Sequence, residues 1–174
     1  MKAFALLSIL LAVAGCAMIP EMPGSVSTNL SKFDGASEIS VSPAWVQTSR
    51  WVASIRLGAY RSSKMEPGAI VIKAVYEGVE SIERLRFNID GTFEELKPLD
   101  SSTTYEEDDR NPGLLSVRRF HATDDLIRRA VNATNTIVRM DFRGTYLDGE
   151  FGLNQAHFAK PAFKKFLTAL ENQP

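Results

Sequence analysis

The stretch Ile82-Glu83-Arg84-Leu85-Arg86-Phe87-Asn88-Ile89-Asp90-Gly91 decides the reading of the fold. Leu85, Phe87 and Ile89 alternate with Arg84, Arg86 and Asn88, the period of two that gives a strand one dry face and one wet face. Asp90-Gly91 closes the run with a turn signal. Upstream, 69–77 places Ile70, Ile72, Ala74 and Tyr76 on one side and Val71 and Val75 on the other, which suits a central strand. Residues 51–62 alternate more loosely through Ala53, Ile55, Leu57 and Ala59, and 36–45 carries Ile39 and Val41 before Pro43, as an edge strand or strand end does.

Downstream, 97–113 loses all pattern and reads as a long exposed loop ended by Asn111-Pro112-Gly113. A strand follows over 114–120. Thr123 then suits a helix N-cap, with Asp124 and Asp125 in the first turn, where carboxylates complement the helix dipole. Leu126, Ile127, Ala130 and Val131 supply its apolar stripe. Residues 136–146 read as one strand, with Val138, Met140 and Phe142 opposite Arg139, Asp141 and Arg143. A last helix starts at Pro161, with Phe163, Phe166, Leu167 and Leu170 at helical spacing. Hairpin-length early connections favour antiparallel pairing. The expectation is a single α+β domain over 33–174: a mainly antiparallel sheet of five to seven strands with two amphipathic helices on one face, or else a helix-decorated β-sandwich.

The N-terminus carries a different signal. Lys2 precedes an apolar run from Ala3 to Ala14, broken only by Ser8, of the length of a signal-peptide core and short of the roughly 20 residues that span a bilayer. The small residues Ala14 and Gly15 lead into Cys16, the one cysteine of the chain. Val13-Ala14-Gly15-Cys16 resembles the lipobox of bacterial lipoproteins, and the body resembles that of small proteobacterial lipoproteins. The resemblance implies removal of 1–15 as a signal peptide, diacylglycerol on the Cys16 thiol, a further acyl chain on the new N-terminus, and a lipid-anchored place in the cell envelope. With Ala17 rather than Asp after the cysteine, it implies the outer membrane, with the body facing the periplasm. Two or three acyl chains make desorption negligible. Residues 16–32, the acylated cysteine followed by a run with Pro20, Pro23 and Gly24, read as a flexible tether with an average reach of roughly 20–25 Å.

Composition removes several classes of function. Lys and Arg number 20 against 21 Asp and Glu, which leaves no long-range attraction for nucleic acid. One cysteine and two histidines leave no Cys-based zinc or iron–sulfur site and little for a His-rich metal centre. Neither a serine elbow nor a nucleotide or zinc-protease motif occurs, so no catalytic residue, cofactor or metal is assigned. His121 and His157 are the only candidate imidazole bases. The run Glu106-Glu107-Asp108-Asp109 lacks the spaced pattern of a calcium loop, and Trp45 and Trp51 suit a core edge better than a carbohydrate platform. One cluster remains. If the strands at 82–89 and 136–146 are neighbours, Arg84, Arg86, Arg139 and Arg143 share the wet face, only partly offset by Asp141, as a candidate anion site for phosphate or carboxylate groups. The expected function is a non-enzymatic binding or structural module that meets a protein partner or an anionic envelope polymer. The alternatives are an envelope hydrolase with a Glu/Asp-His site and a small-ligand carrier.

Overall fold

The computed structural model describes residues 22–48, 54–108, 113–152 and 155–172. In chain order they form β1 (Val26–Leu30), β2 (Ser37–Thr48), β3 (Ile55–Ser62), β4 (Ala69–Glu77), β5 (Ile82–Ile89), β6 (Thr92–Pro98), β7 (Thr104–Glu107), β8 (Leu114–Thr123), α1 (Asp124–Asn132), β9 (Thr136–Phe142), β10 (Thr145–Glu150) and α2 (Ala159–Glu171). Eight strands run β2-β10-β9-β5-β6-β8-β4-β3 and return to β2, all antiparallel, so the sheet closes into a barrel. β1 adds to β2 and β7 to β8.

This corrects the expected α+β layer of five to seven strands. A sheet that closes on itself offers helices no open face to cover, and it does not divide into the two layers of the alternative β-sandwich. The long strand β2 makes closure possible. Its first half pairs with β1, most of its length pairs with β3, and its last two residues reach β10 through Thr48↔Gly149 and Gln47↔Glu150. A register shift between Val41 and Ala44 bends it midway. Gly58 faces that bend, where a Cβ would lie 2.9 Å from the Val41 carbonyl oxygen. Gly149 sits in the closing seam, where a Cβ would lie 2.7 Å from Val46 Cγ1 and 3.0 Å from the Gln47 carbonyl oxygen. Both positions need the missing side chain for close backbone approach.

The interior is filled. Phe87, Phe120, Phe151, Phe163 and Phe166 are all at or below 1% exposure, among Ile39, Ile55, Leu57, Ile70, Ile72, Ile82 and Leu85. Phe151 links strand to helix, its ring 6.2 Å from Phe87 and 5.4 Å from Phe163 in edge-on contacts. Leu126, Ile127, Ala130 and Val131 of α1 are buried as their spacing predicts, and the Thr123 hydroxyl caps the helix by accepting from the Leu126 N–H. In α2, Phe163, Phe166 and Leu167 are buried and Leu170 partly so, but the helix begins at Ala159, two residues before Pro161. The helices thus put their apolar faces into the barrel's own core.

Three strands, two of them within the expected tether and the expected loop over 97–113, differ from the sequence expectation for one reason. β1, β6 and β7 carry little apolar alternation because little of them is buried: β7 is exposed throughout, and only Leu96 is buried in β6. The half-buried Glu94 of β6 meets Arg129 of α1 at 2.9 Å, a polar contact where a strand interior would show an apolar residue. The expected strand over 136–146 is two strands, β9 and β10, joined at Gly144 with φ of +83°. The tether expected over 16–32 is shortened, because β1 lies within it. Gly24 N donates to the Ser42 carbonyl at 3.2 Å, and Ser42 Oγ donates to the Met22 carbonyl at 2.7 Å. The expected signal segment 1–15, Cys16 and Trp51 lie outside the described residues. Among the described residues, no helix is long and apolar enough to cross a membrane.

Candidate functional site

The outer face of β5 and β9 is where the wet residues of the decisive stretch collect. The two strands are neighbours in register, with Arg84 opposite Asp141 and Arg86 opposite Arg139, so the inferred neighbourhood of Arg84, Arg86 and Arg139 exists. Like charges placed directly opposite repel. Here a carboxylate stands beside each. Arg86 grips Asp141 with two bonds, Nε–Oδ2 at 2.8 Å and Nη2–Oδ1 at 2.5 Å. Arg139 grips Asp148 of β10 in the same fork geometry, at 2.5 and 2.6 Å, and lies 3.9 Å over the Tyr146 ring. Planar forks of this kind use the guanidinium's matched donors. The carboxylate bonds raise both arginines above the usual guanidinium value, first through Asp141 for Arg86 and first through Asp148 for Arg139.

Arg84 stands 3.9 Å from Asp141 and its side chain is 54% exposed. Arg143 is exposed at the β9–β10 turn, beyond the paired group. Glu95 lies opposite Arg86 on β6. Arg84, Arg86 and Arg139 are therefore matched by Glu95, Asp141 and Asp148, and this part of the wall is close to neutral.

Between these pairs runs a depression of about 350 Å³ bordered by Arg86, Asn88, Phe93, Ile137, Arg139 and Asp148. It shares Ile137 and Asp148 with a second hollow of about 460 Å³ that continues over Gln47, Thr48 and Glu150 at the closing seam. Phe93 stands 76% exposed at its rim. The combination is a shallow groove with apolar patches, amides, and charges of both signs.

The other sequence candidates go elsewhere. His121 is exposed on the outer face of β8, beside a broad hollow of about 680 Å³ that includes Tyr60, Lys73, Leu99 and Arg119. His157 is exposed on the approach to α2, its ring 4.7 Å from Phe158 and its carbonyl accepting from Trp45 N. The acidic run divides: Glu106 pairs with Lys73 at 2.9 Å, Asp108 accepts from Arg56 at 3.4 Å, and Asp109 lies outside the described residues. Among the described residues, no group of three His, Cys, Asp or Glu is placed to hold a metal. Trp45 lies under the Arg56 guanidinium at 5.0 Å, so its ring serves a buried arginine.

Two features escaped the sequence. Phe93 and Ile137 gain their role from the β6-β5-β9 order, which no local pattern announces. Arg118 is the other. Its guanidinium donates to the carbonyls of Ile82 (2.7 Å), Glu83 (3.1 Å), Asp100 (3.1 Å) and Ser101 (3.4 Å), tying β8 to the start of β5 and to the segment after β6. No protein-family model matches the chain, and no curated protein or solved structure matches it either.

Proposed function

We propose that the chain is a lipoprotein of the bacterial envelope, anchored through acyl chains on Cys16, whose barrel is a non-enzymatic binding module on the periplasmic side of the outer membrane. The observation that carries the reading is Val13-Ala14-Gly15-Cys16, placed directly after an apolar run of signal-peptide length. The groove over β5, β9 and β10 supports the binding half of it. A wall of paired guanidiniums and carboxylates favours a partner that carries both charges and apolar groups, such as a protein segment or a peptide-bearing polymer. A purely polyanionic ligand gains less there, because Asp141 and Asp148 already hold the guanidinium forks.

Labelled palmitate tests the anchor. Incorporation into the wild-type chain and none into Cys16→Ala is the expected outcome, and an unlabelled wild-type chain recovered in the soluble fraction overturns the reading. Capture from detergent-solubilised envelopes tests the groove. Material retained by the wild type and lost with Phe93→Asp supports it, and retention that Phe93→Asp leaves unchanged removes the groove from the proposal.

A further inference from the structure

We infer that the edge formed by β1, the turn after it and the outer side of α2 faces the membrane and seats the barrel on an anionic lipid leaflet. The inference rests on the proposed acylation for its geometry, and three observations on separate parts of the chain meet in it.

The first is length. Met22 lies six residue steps beyond Cys16, and a chain extends at most ~3.3–3.6 Å per residue, so the leash is no longer than about 22 Å. It leads to the junction of β1, β2 and α2: Met22 is bonded to Ser42, and a Cβ on Gly24 would lie 3.0 Å from Ala162 Cβ. With the sulfur at the headgroups, this junction stays near the surface.

The second is exposed apolar surface. Met22 before β1 is 75% exposed, Leu30 at its end is 70% exposed, and Phe33 in the following turn is 100% exposed. Val26 and Leu30 point the same way, since successive strand residues alternate. Val26 lines a depression of about 540 Å³ against α2, so that side of β1 is the side of the helix. Scattered exposed apolar residues are ordinary. Three of them within twelve residues, before, at the end of and after one short strand that follows a short leash, form a surface.

The third is charge. Lys164 and Lys165 border that same depression, and Lys32 precedes Phe33. Among the described residues, Asp34 pairs with Lys64 at 2.6 Å and Glu171 with Arg128, and Glu38 is turned to the Tyr60 hydroxyl. The edge therefore presents lysines next to apolar side chains, the composition that settles on an anionic interface.

The test is vesicle sedimentation of the mature chain, residues 16–174, carrying Cys16→Ser, which cannot be acylated and leaves every described residue in place. It should partition onto phosphatidylglycerol–phosphatidylethanolamine vesicles and not onto phosphatidylcholine. Lys164→Ala and Lys165→Ala should each weaken partition about fivefold, and Phe33→Ser about tenfold. Thermal melting keeps the variants comparable, and all three sites are exposed. Partition that is absent, indifferent to lipid charge, or unchanged in the variants overturns the inference. Palmitate labelling of the unsubstituted chain is read separately. Labelling without vesicle partition leaves an anchored barrel with this edge in water, whereas partition without labelling removes the anchor and keeps the docking edge.

Discussion

Strand β5 presents Leu85, Phe87 and Ile89 to the barrel interior and Arg84, Arg86 and Asn88 to the outside, and the two sides are held by different forces. Inside, Phe87 meets Phe151, which meets Phe163, and each ring is removed from water by neighbours from other strands and a helix. The contribution scales with area and volume, and it has no partner-by-partner bookkeeping. Outside, Arg86 has a named partner in Asp141 and Arg139 has one in Asp148. The Arg139–Asp148 pair is open to solvent on both sides, which screens it, so it orients side chains more than it stabilises the fold, whereas Asp141 is only 8% exposed and its pairing contributes more. One strand thus carries the fold on one face and the charged pairs that border the groove on the other.

Phe163→Ala is the hardest blow to the inner side. It empties a fully buried position between Phe151 and Phe166, and should cost about 3–5 kcal/mol in denaturant unfolding. A loss below about 1 kcal/mol would mean that the helix is not part of the barrel's core. Gly149→Ala comes next and probes the seam where inside and outside meet. A methyl group there drives against Val46 and the Gln47 carbonyl, and should cost about 1–3 kcal/mol. A variant as stable as its parent would show that β2 and β10 separate without harm.

Asp141→Asn sharpens the outer side. It removes the charge near both Arg86 and Arg84 and one of the two oxygens that Arg86 bonds, with Asp141's own side chain only 8% exposed, and should cost about 1–2 kcal/mol. Arg84→Ala on the same network should change stability by less than about 0.5 kcal/mol, since that side chain is more than half exposed. Equal losses from the two would contradict the partner geometry.

The smallest effect is read in pH. Bonds from the Arg119 side chain, foremost, hold the Asp100 carboxyl below its ordinary value of 3.8. A depressed folded value stabilises the fold above the unfolded value of about 3.9, and this stabilisation fades as pH falls through the folded value. The unfolding free energy of the wild type should therefore fall below about pH 4 more steeply than that of Asp100→Asn, with parallel curves above pH 5. Identical acid limbs would remove the Arg119 contact from the account.

Legibility followed burial. The stripe of α1, the core-facing residues of α2 and the alternation of β5 were readable because an interior imposes a period on whatever lines it. β1, β6 and β7 were not, since strands with few buried residues keep only the backbone ladder, and a ladder leaves no mark on side-chain type. The arginine cluster was legible as a shared face, from parity alone. Its neutralisation was legible only in part. Asp141 sits on the same strand as Arg139, but Asp148 becomes a partner only when β10 folds back beside β9.

The order of residues alone settles where the apolar faces lie along each strong element and which turns separate them, because alternation and helical spacing are properties of neighbours in the chain. It also places the one cysteine directly behind an apolar run, a strictly local pattern. Closure belongs to the tertiary structure. Whether these strands lie flat, stack in two layers or curl into a barrel depends on a bend at Ser42-Pro43 and on the two-residue pairing of Gln47 and Thr48 with Glu150 and Gly149. These contacts join segments about a hundred residues apart, and no local periodicity reports a pairing at that separation.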